Sequence, residues 1–68
     1  MRFSGVIEQA NNRVGYLRLE DGRVAWFAAR DFNQPHEYPK RVRVGVKVYC
    51  SLVSSRGFLA AKSISLAD

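Results

Sequence analysis

The chain has 68 residues, with eleven Lys and Arg against six Asp and Glu, a net charge of +5, and 47% hydrophobic residues. That describes one small basic domain, residues 1–68, with enough apolar content for a compact core. One cysteine excludes a disulfide framework, and Cys50 with His36 cannot complete a tetrahedral zinc site within the chain. No apolar run approaches the ~20 residues of a membrane helix. The opening MRFSGVIEQ lacks the apolar stretch of a secretory signal, and these signs together suit the cytoplasm and no membrane. The positive field points to a polyanion, with nucleic acid ahead of an acidic protein or a membrane surface.

The first segment, MRFSGVIEQ, predicts a strand with Phe3, Gly5 and Ile7 on one face and Arg2, Ser4 and Glu8 on the other. ANNR supplies turn residues before VGYLRLEDGRVAWF, which reads as a hairpin. Its loop has two possible lengths. With a two-residue loop, Asp21-Gly22, Trp26 falls opposite Leu17 on the core side. With a three-residue loop, Glu20-Asp21-Gly22 and Gly22 left-handed, Trp26 faces Tyr16 beside Arg18, and Phe27 turns inward with Leu17 and Leu19. Economy favours the longer loop, because it sends the purely apolar side chains inward together and leaves the polar-tipped rings outside.

DFNQPHEYPKR holds both prolines and reads as the one long connection, without a helix. VRVGVKVYCSLV alternates from Val42 to Leu52 and predicts the fourth strand. Its odd positions Arg41, Arg43 and Lys47, continuing past Lys40, would form a basic stripe along one face. SSRG turns, with Arg56 and Phe58 flanking it, and FLAAKSISL predicts the last strand. The expected interior is Ile7, Leu17, Leu19, Phe27, Val48, Cys50 and Leu52.

Five short strands with a long third connection predict an all-β fold, a small five-stranded antiparallel Greek-key OB barrel, since a flat sheet this small would leave open edges. The order of motifs resembles the bacterial cold-shock domain over almost the full length. Gly5-Val6-Ile7 stands where that family has G-x-V, Val14-Gly15-Tyr16-Leu17 resembles the end of its K-G-F-G-F-I motif, and Asp21-Gly22 its following turn. Ala25-Trp26-Phe27-Ala28 matches V-F-V-H, Arg30-Asp31-Phe32 the S-A-I that follows, Gly45 and Val48 the G-x-x-V, and Ala61 and Ile64 the closing strand.

The resemblance implies a barrel surface on which single-stranded bases stack, with Tyr16 and Trp26 as platform rings, Arg13 as the basic residue ahead of the glycine, and Tyr38 as a loop aromatic. Val14, Ala28 and Gln9-Ala10 stand where the family carries further rings or a histidine, which reduces that surface. Similarity to the initiation-factor-one type of OB domain, which binds RNA with fewer aromatics, follows the same pattern.

The expected function is therefore binding of single-stranded RNA or DNA through Arg13, Tyr16, Arg18, Trp26, Tyr38, Lys40, Arg41, Arg43, Arg56 and Phe58. Stacking tolerates any base, and phosphates need only positive charge along the path. The alternative is a protein-interaction or dimerisation barrel using the apolar patch of Tyr16, Trp26 and Phe58. Arg18 could equally form a salt bridge to Glu8 or Glu20. One histidine, an inward cysteine and scattered carboxylates give an enzyme nothing to work with, and no cofactor is implied.

Overall fold

The computed structural model describes residues 1–67. Five strands, β1 (Phe3–Ala10), β2 (Val14–Leu19), β3 (Val24–Ala28), β4 (Lys47–Ser55) and β5 (Phe58–Leu66), close into a barrel in the order β1-β2-β3-β5-β4. The small OB-like barrel expected from the sequence is therefore the observed fold. One pair departs from the antiparallel expectation: β3 and β5 run parallel through Ala25↔Leu59 and Trp26↔Ala60. A closed ring with an odd number of strands cannot alternate direction at every step, so one parallel pair is unavoidable.

The opening hairpin adopts the longer loop. Leu19 N–H donates to the Arg23 carbonyl at 2.8 Å and Gly22 N–H to the Leu19 carbonyl at 2.9 Å, with Gly22 at φ +94°. The register then runs Arg18↔Val24, Leu17↔Ala25, Tyr16↔Trp26 and Gly15↔Phe27. Gly15 is where the backbones crowd. A Cβ there would collide with the Gln9 carbonyl oxygen and lie 2.8 Å from both the Ala10 Cα and the Phe27 ring. Its missing side chain lets Phe27 cross the barrel interior beside the β1 irregularity between Ile7 and Gln9. The turn before β2 is held by Asn11, whose Oδ1 accepts from the Arg13 and Val14 amides at 2.8 and 2.9 Å.

The fourth strand starts later than its alternation suggests. Residues 43–46 form a turn, with Val46 N–H donating to the Arg43 carbonyl at 3.1 Å and Gly45 at φ +94°, a conformation that a side chain would strain. Regular pairing begins at Lys47↔Val6. The long connection, expected to lack a helix, contains two 3-10 turns (Ala29–Asp31 and Pro35–Glu37) and a one-turn helix, α1 (Tyr38–Arg41), with Pro39 in its first turn. A proline there loses no hydrogen bond, because the first amides of a helix have no partner anyway.

The interior holds Ile7, Leu17, Leu19, Phe27, Val48 and Cys50, as the two-residue period required. Leu52 is the exception. It is half-buried and packs against the core from the rim. The core also takes in Ala25, Phe32, Tyr38, Val42, Ala61 and Ile64. Phe32 and Tyr38 come from the long connection and pack edge-on, with ring centres 5.3 Å from Phe27 to Phe32 and 5.2 Å from Phe32 to Tyr38. Through Tyr38, α1 is thereby anchored to the core.

Candidate functional site

The outer wall of β2, β3, β5 and β4 collects the aromatic side chains that the interior does not use. Because side chains alternate, burial of Leu17, Ala25 and Ala61 forces Tyr16, Trp26 and Ala60 outward. The registers then align Tyr16, Trp26, Ala60 and Val53 in one row across four strands. One step along, Val24 lies opposite Arg18, and carrying the β3–β5 register back one residue sets it beside Phe58. Tyr16 and Trp26 form a tilted pair with ring centres 4.9 Å apart and planes at 55°. Trp26 and Phe58 are each 49% exposed, so about half of each side chain stays open to solvent. Val14 and Val53 extend the same wall with exposed aliphatic groups.

Charge around this wall divides into engaged and unengaged groups. Arg18 is engaged through all three of its side-chain nitrogens: Nε and Nη2 donate to the two Glu8 carboxylate oxygens at 2.9 Å each, and Nη1 donates to the Gly22 carbonyl at 2.8 Å. That bidentate pair holds the Glu8 carboxyl below its ordinary value and raises the guanidinium of Arg18. Of the two roles that the sequence offers Arg18, ion pair and phosphate contact, the fold forms the ion pair with Glu8.

Lys62, beside Ala28 on the outer wall, donates to Asp31 Oδ1 at 3.0 Å, while Asp31 Oδ2 accepts the Ala28 amide at 2.8 Å. In contrast, the side chains of Arg13, Arg30, Lys40 and Arg56 make no hydrogen bond or ion pair among the described residues. Arg13 and Arg30 sit at one end of the wall, tied together by the Ala29 amide donating to the Arg13 carbonyl at 2.8 Å. Arg56 sits at the other end, in the two-residue β4–β5 turn, where both Arg56 (φ 50°) and Gly57 (φ 87°) are left-handed. The rings therefore occupy the middle of the wall, and unengaged guanidinium groups lie at both of its ends.

Several expected positions lie elsewhere. Tyr38 is not a surface ring: it is 3% exposed, packs against Phe27 and Phe32, and its hydroxyl donates to the Asn11 carbonyl at 2.9 Å. Burial pushes its phenol pKa up. An aromatic in a polar, proline-rich loop resembles a surface ring in sequence, and only the packing of the loop under the barrel reveals the difference.

The basic stripe of strand four does not exist as such, because Lys40 and Arg41 belong to α1 and Arg43 to the turn that precedes β4. Arg41 pairs with Glu37 at 3.1 Å, and Arg43 Nη1 donates to the carbonyls of Pro39 and Val42 at 3.0 Å each. Of the early stripe only Lys47 remains on β4, over the Tyr49 ring at 5.9 Å. Arg30, Val24 and Val53 complete the outer strip but were not singled out in the sequence. For Arg30 the signal was its place just past Trp26-Phe27-Ala28. For Val24 and Val53 it was their even spacing from Trp26 and from Ser51.

No helix among the described residues is long and apolar enough to cross a membrane. The chain matches no protein-family model, and no curated protein matches it in sequence.

Proposed function

We propose that this protein binds single-stranded RNA or DNA, laying the strand across β2, β3 and β5 so that bases stack on Tyr16, Trp26 and Phe58. The observation that carries the reading is the outward Tyr16–Trp26 pair, in which Trp26 is half open to solvent and Tyr16 partly so, with the unengaged guanidinium groups of Arg13 and Arg30 at one end and Arg56 at the other. Base stacking on an aromatic ring is worth about 1–3 kcal/mol, and phosphate neutralisation adds an attraction that depends on salt rather than on sequence. The net charge of +5 favours approach of any polyanion, while the rings select one whose bases are not already paired. Binding is passive: the strand is held open without catalysis. The single buried thiol of Cys50 suits a reducing compartment, and we place the protein in the cytoplasm.

Titration of labelled single-stranded oligonucleotides across a salt series, with duplex as control, tests this reading. Single strands should bind more tightly than duplex, quench Trp26 fluorescence, and lose affinity steeply as salt rises. Binding that ignores salt and leaves Trp26 unchanged would reverse the conclusion. The exposed aliphatic groups of Val14 and Val53 favour the second reading, an apolar docking face for another protein, and that salt-insensitive outcome would select it.

A further inference from the structure

The barrel is closed by β1 against β4, but that seam covers only part of β4. Pairing with β1 runs from Val6↔Lys47 to Phe3↔Cys50 and ends there, whereas β4 continues to Ser55 with β5 on its other side. Among the described residues, nothing pairs with the second edge of residues 51–55. Exposed strand edges in natural proteins are normally blunted by charge, proline or a covering segment. This one reads SLVSS, with neither a charge nor a proline, and Val53, Ser54 and Ser55 are exposed.

The direction of the free backbone groups follows from the hairpin. Ser55 and Phe58 flank the two-residue turn Arg56–Gly57, and residues in that position exchange both backbone hydrogen bonds. By alternation Val53 and Ser51 also aim their polar groups at β5, so Leu52 and Ser54 aim theirs at the open side.

We infer that this edge receives the same edge of a second copy, and that two copies assemble in this way along one single strand. A two-fold axis at Val53 sets Leu52 of one copy against Ser54 of the other, and the reverse, so both outward-facing residues of each edge find antiparallel partners in one register. No charged side chain within residues 51–55 opposes the approach. The same pairing continues the outer wall, because Val53 already stands in the row of Tyr16, Trp26 and Ala60. With strands about 4.8 Å apart, the two Trp26 rings would lie roughly 24 Å from one another on a common face. Each copy carries +5, so the pair repels itself in dilute salt and is drawn together on a polyanion.

The edge pairing stands on backbone geometry, while its assembly along a strand rests on the strand-binding reading above. Two measurements separate them. In about 1 M salt, where the Debye length shrinks to about 3 Å, sedimentation velocity should show the full chain forming dimers as its concentration rises. At low salt, oligothymidine of about 20 nucleotides should load two copies cooperatively, the second binding about tenfold more tightly than the first, whereas one of about 5 nucleotides takes a single copy.

Ser54→Pro removes an outward amide without touching the β4–β5 ladder. It should stay monomeric in high salt, bind the short oligonucleotide like the wild type, and lose the cooperativity. Val53→Lys, which opposes two ammonium groups across the axis, should also be monomeric, and it decides the matter if Ser54→Pro melts early. A wild type that remains monomeric and loads the long strand without cooperativity overturns the inference, as do variants that dimerise normally. If the short oligonucleotide fails to bind, the strand-binding reading falls and sedimentation alone judges the edge.

Discussion

Phe27, Phe32 and Tyr38 inside the barrel, and Tyr16, Trp26 and Phe58 on its outer wall, are two sets of three aromatic side chains with opposite fates. The inner rings meet edge-on at 5.2–6.2 Å and are almost wholly removed from water, and the one polar tip among them is bonded to the Asn11 carbonyl. The outer rings keep open faces, and the charges beside them divide between Arg18, closed off by Glu8 and Gly22, and the guanidinium groups left unengaged. Residue type does not separate the sets, since each contains a tyrosine and a phenylalanine. What separates them is the face of the strand on which each falls, and whether the loop carrying it folds under the barrel.

The largest effect expected from breaking this contrast is at Phe27. Its truncation to alanine should cost about 3–5 kcal/mol in denaturant unfolding, most of the stability available to a domain this small. A variant with an unchanged midpoint would mean that the inner cluster does not hold the barrel closed. Trp26→Ala should do the reverse, leaving the melting temperature nearly unchanged while weakening single-strand binding by about 1–3 kcal/mol. Should Trp26→Ala instead unfold the protein, the outer ring is structural and the contrast collapses.

Tyr38→Phe sharpens the assignment of the loop tyrosine. Loss of its bond to Asn11 should lower stability by about 0.5–1.5 kcal/mol with no change in oligonucleotide affinity. A binding defect without a stability defect would return Tyr38 to the surface.

Charge provides smaller tests. Replacing Arg13, Arg30 or Arg56 with Gln should each reduce the slope of log affinity against log salt by about 1, whereas Arg43→Gln should leave the slope at its wild-type value, because that guanidinium already serves the Pro39 and Val42 carbonyls. The smallest effect concerns the Glu8–Arg18 pair. Because the carboxyl pKa of Glu8 is lowered in the folded chain, the pair persists above the ordinary value of 4.5 and dissolves only as pH falls through the lower, folded one. Glu8→Gln makes the same change at neutral pH. Freed from its carboxylate, Arg18 should slightly steepen the salt dependence, and an identical slope would show that Arg18 stays on the Gly22 carbonyl, away from the strand.

Local pattern was enough for the opening hairpin and the last strand. The alternation of Leu17, Leu19 and Phe27 against Tyr16 and Trp26 admits one register in which apolar groups share a face, and Gly22 supplies the left-handed residue that register needs. The candidate strip inherits its two main rings from that register. The Glu8–Arg18 bridge was also among the alternatives that local charge suggested, although the choice between it and phosphate waited on the β1–β2 pairing that sets them side by side.

The sequence by itself therefore determined the five-stranded barrel, its inner face up to Cys50, and the outward placement of Tyr16 and Trp26, because a period of two and one glycine turn are properties of neighbouring residues. Tertiary structure alone decided the fate of Tyr38, whose hydroxyl finds its acceptor 27 residues away, and the late start of β4, where Val42 is drawn into the core and Gly45 turns the chain before the regular ladder begins. It also decided which arginines remain free, since Lys40, Arg41 and Arg43 look like a continuous stripe until the helix turn between Tyr38 and Arg41 rotates them apart. Alternation records which side of a strand a residue occupies. It holds no information about where a proline-rich loop packs or which distant carboxylate or carbonyl a guanidinium will meet.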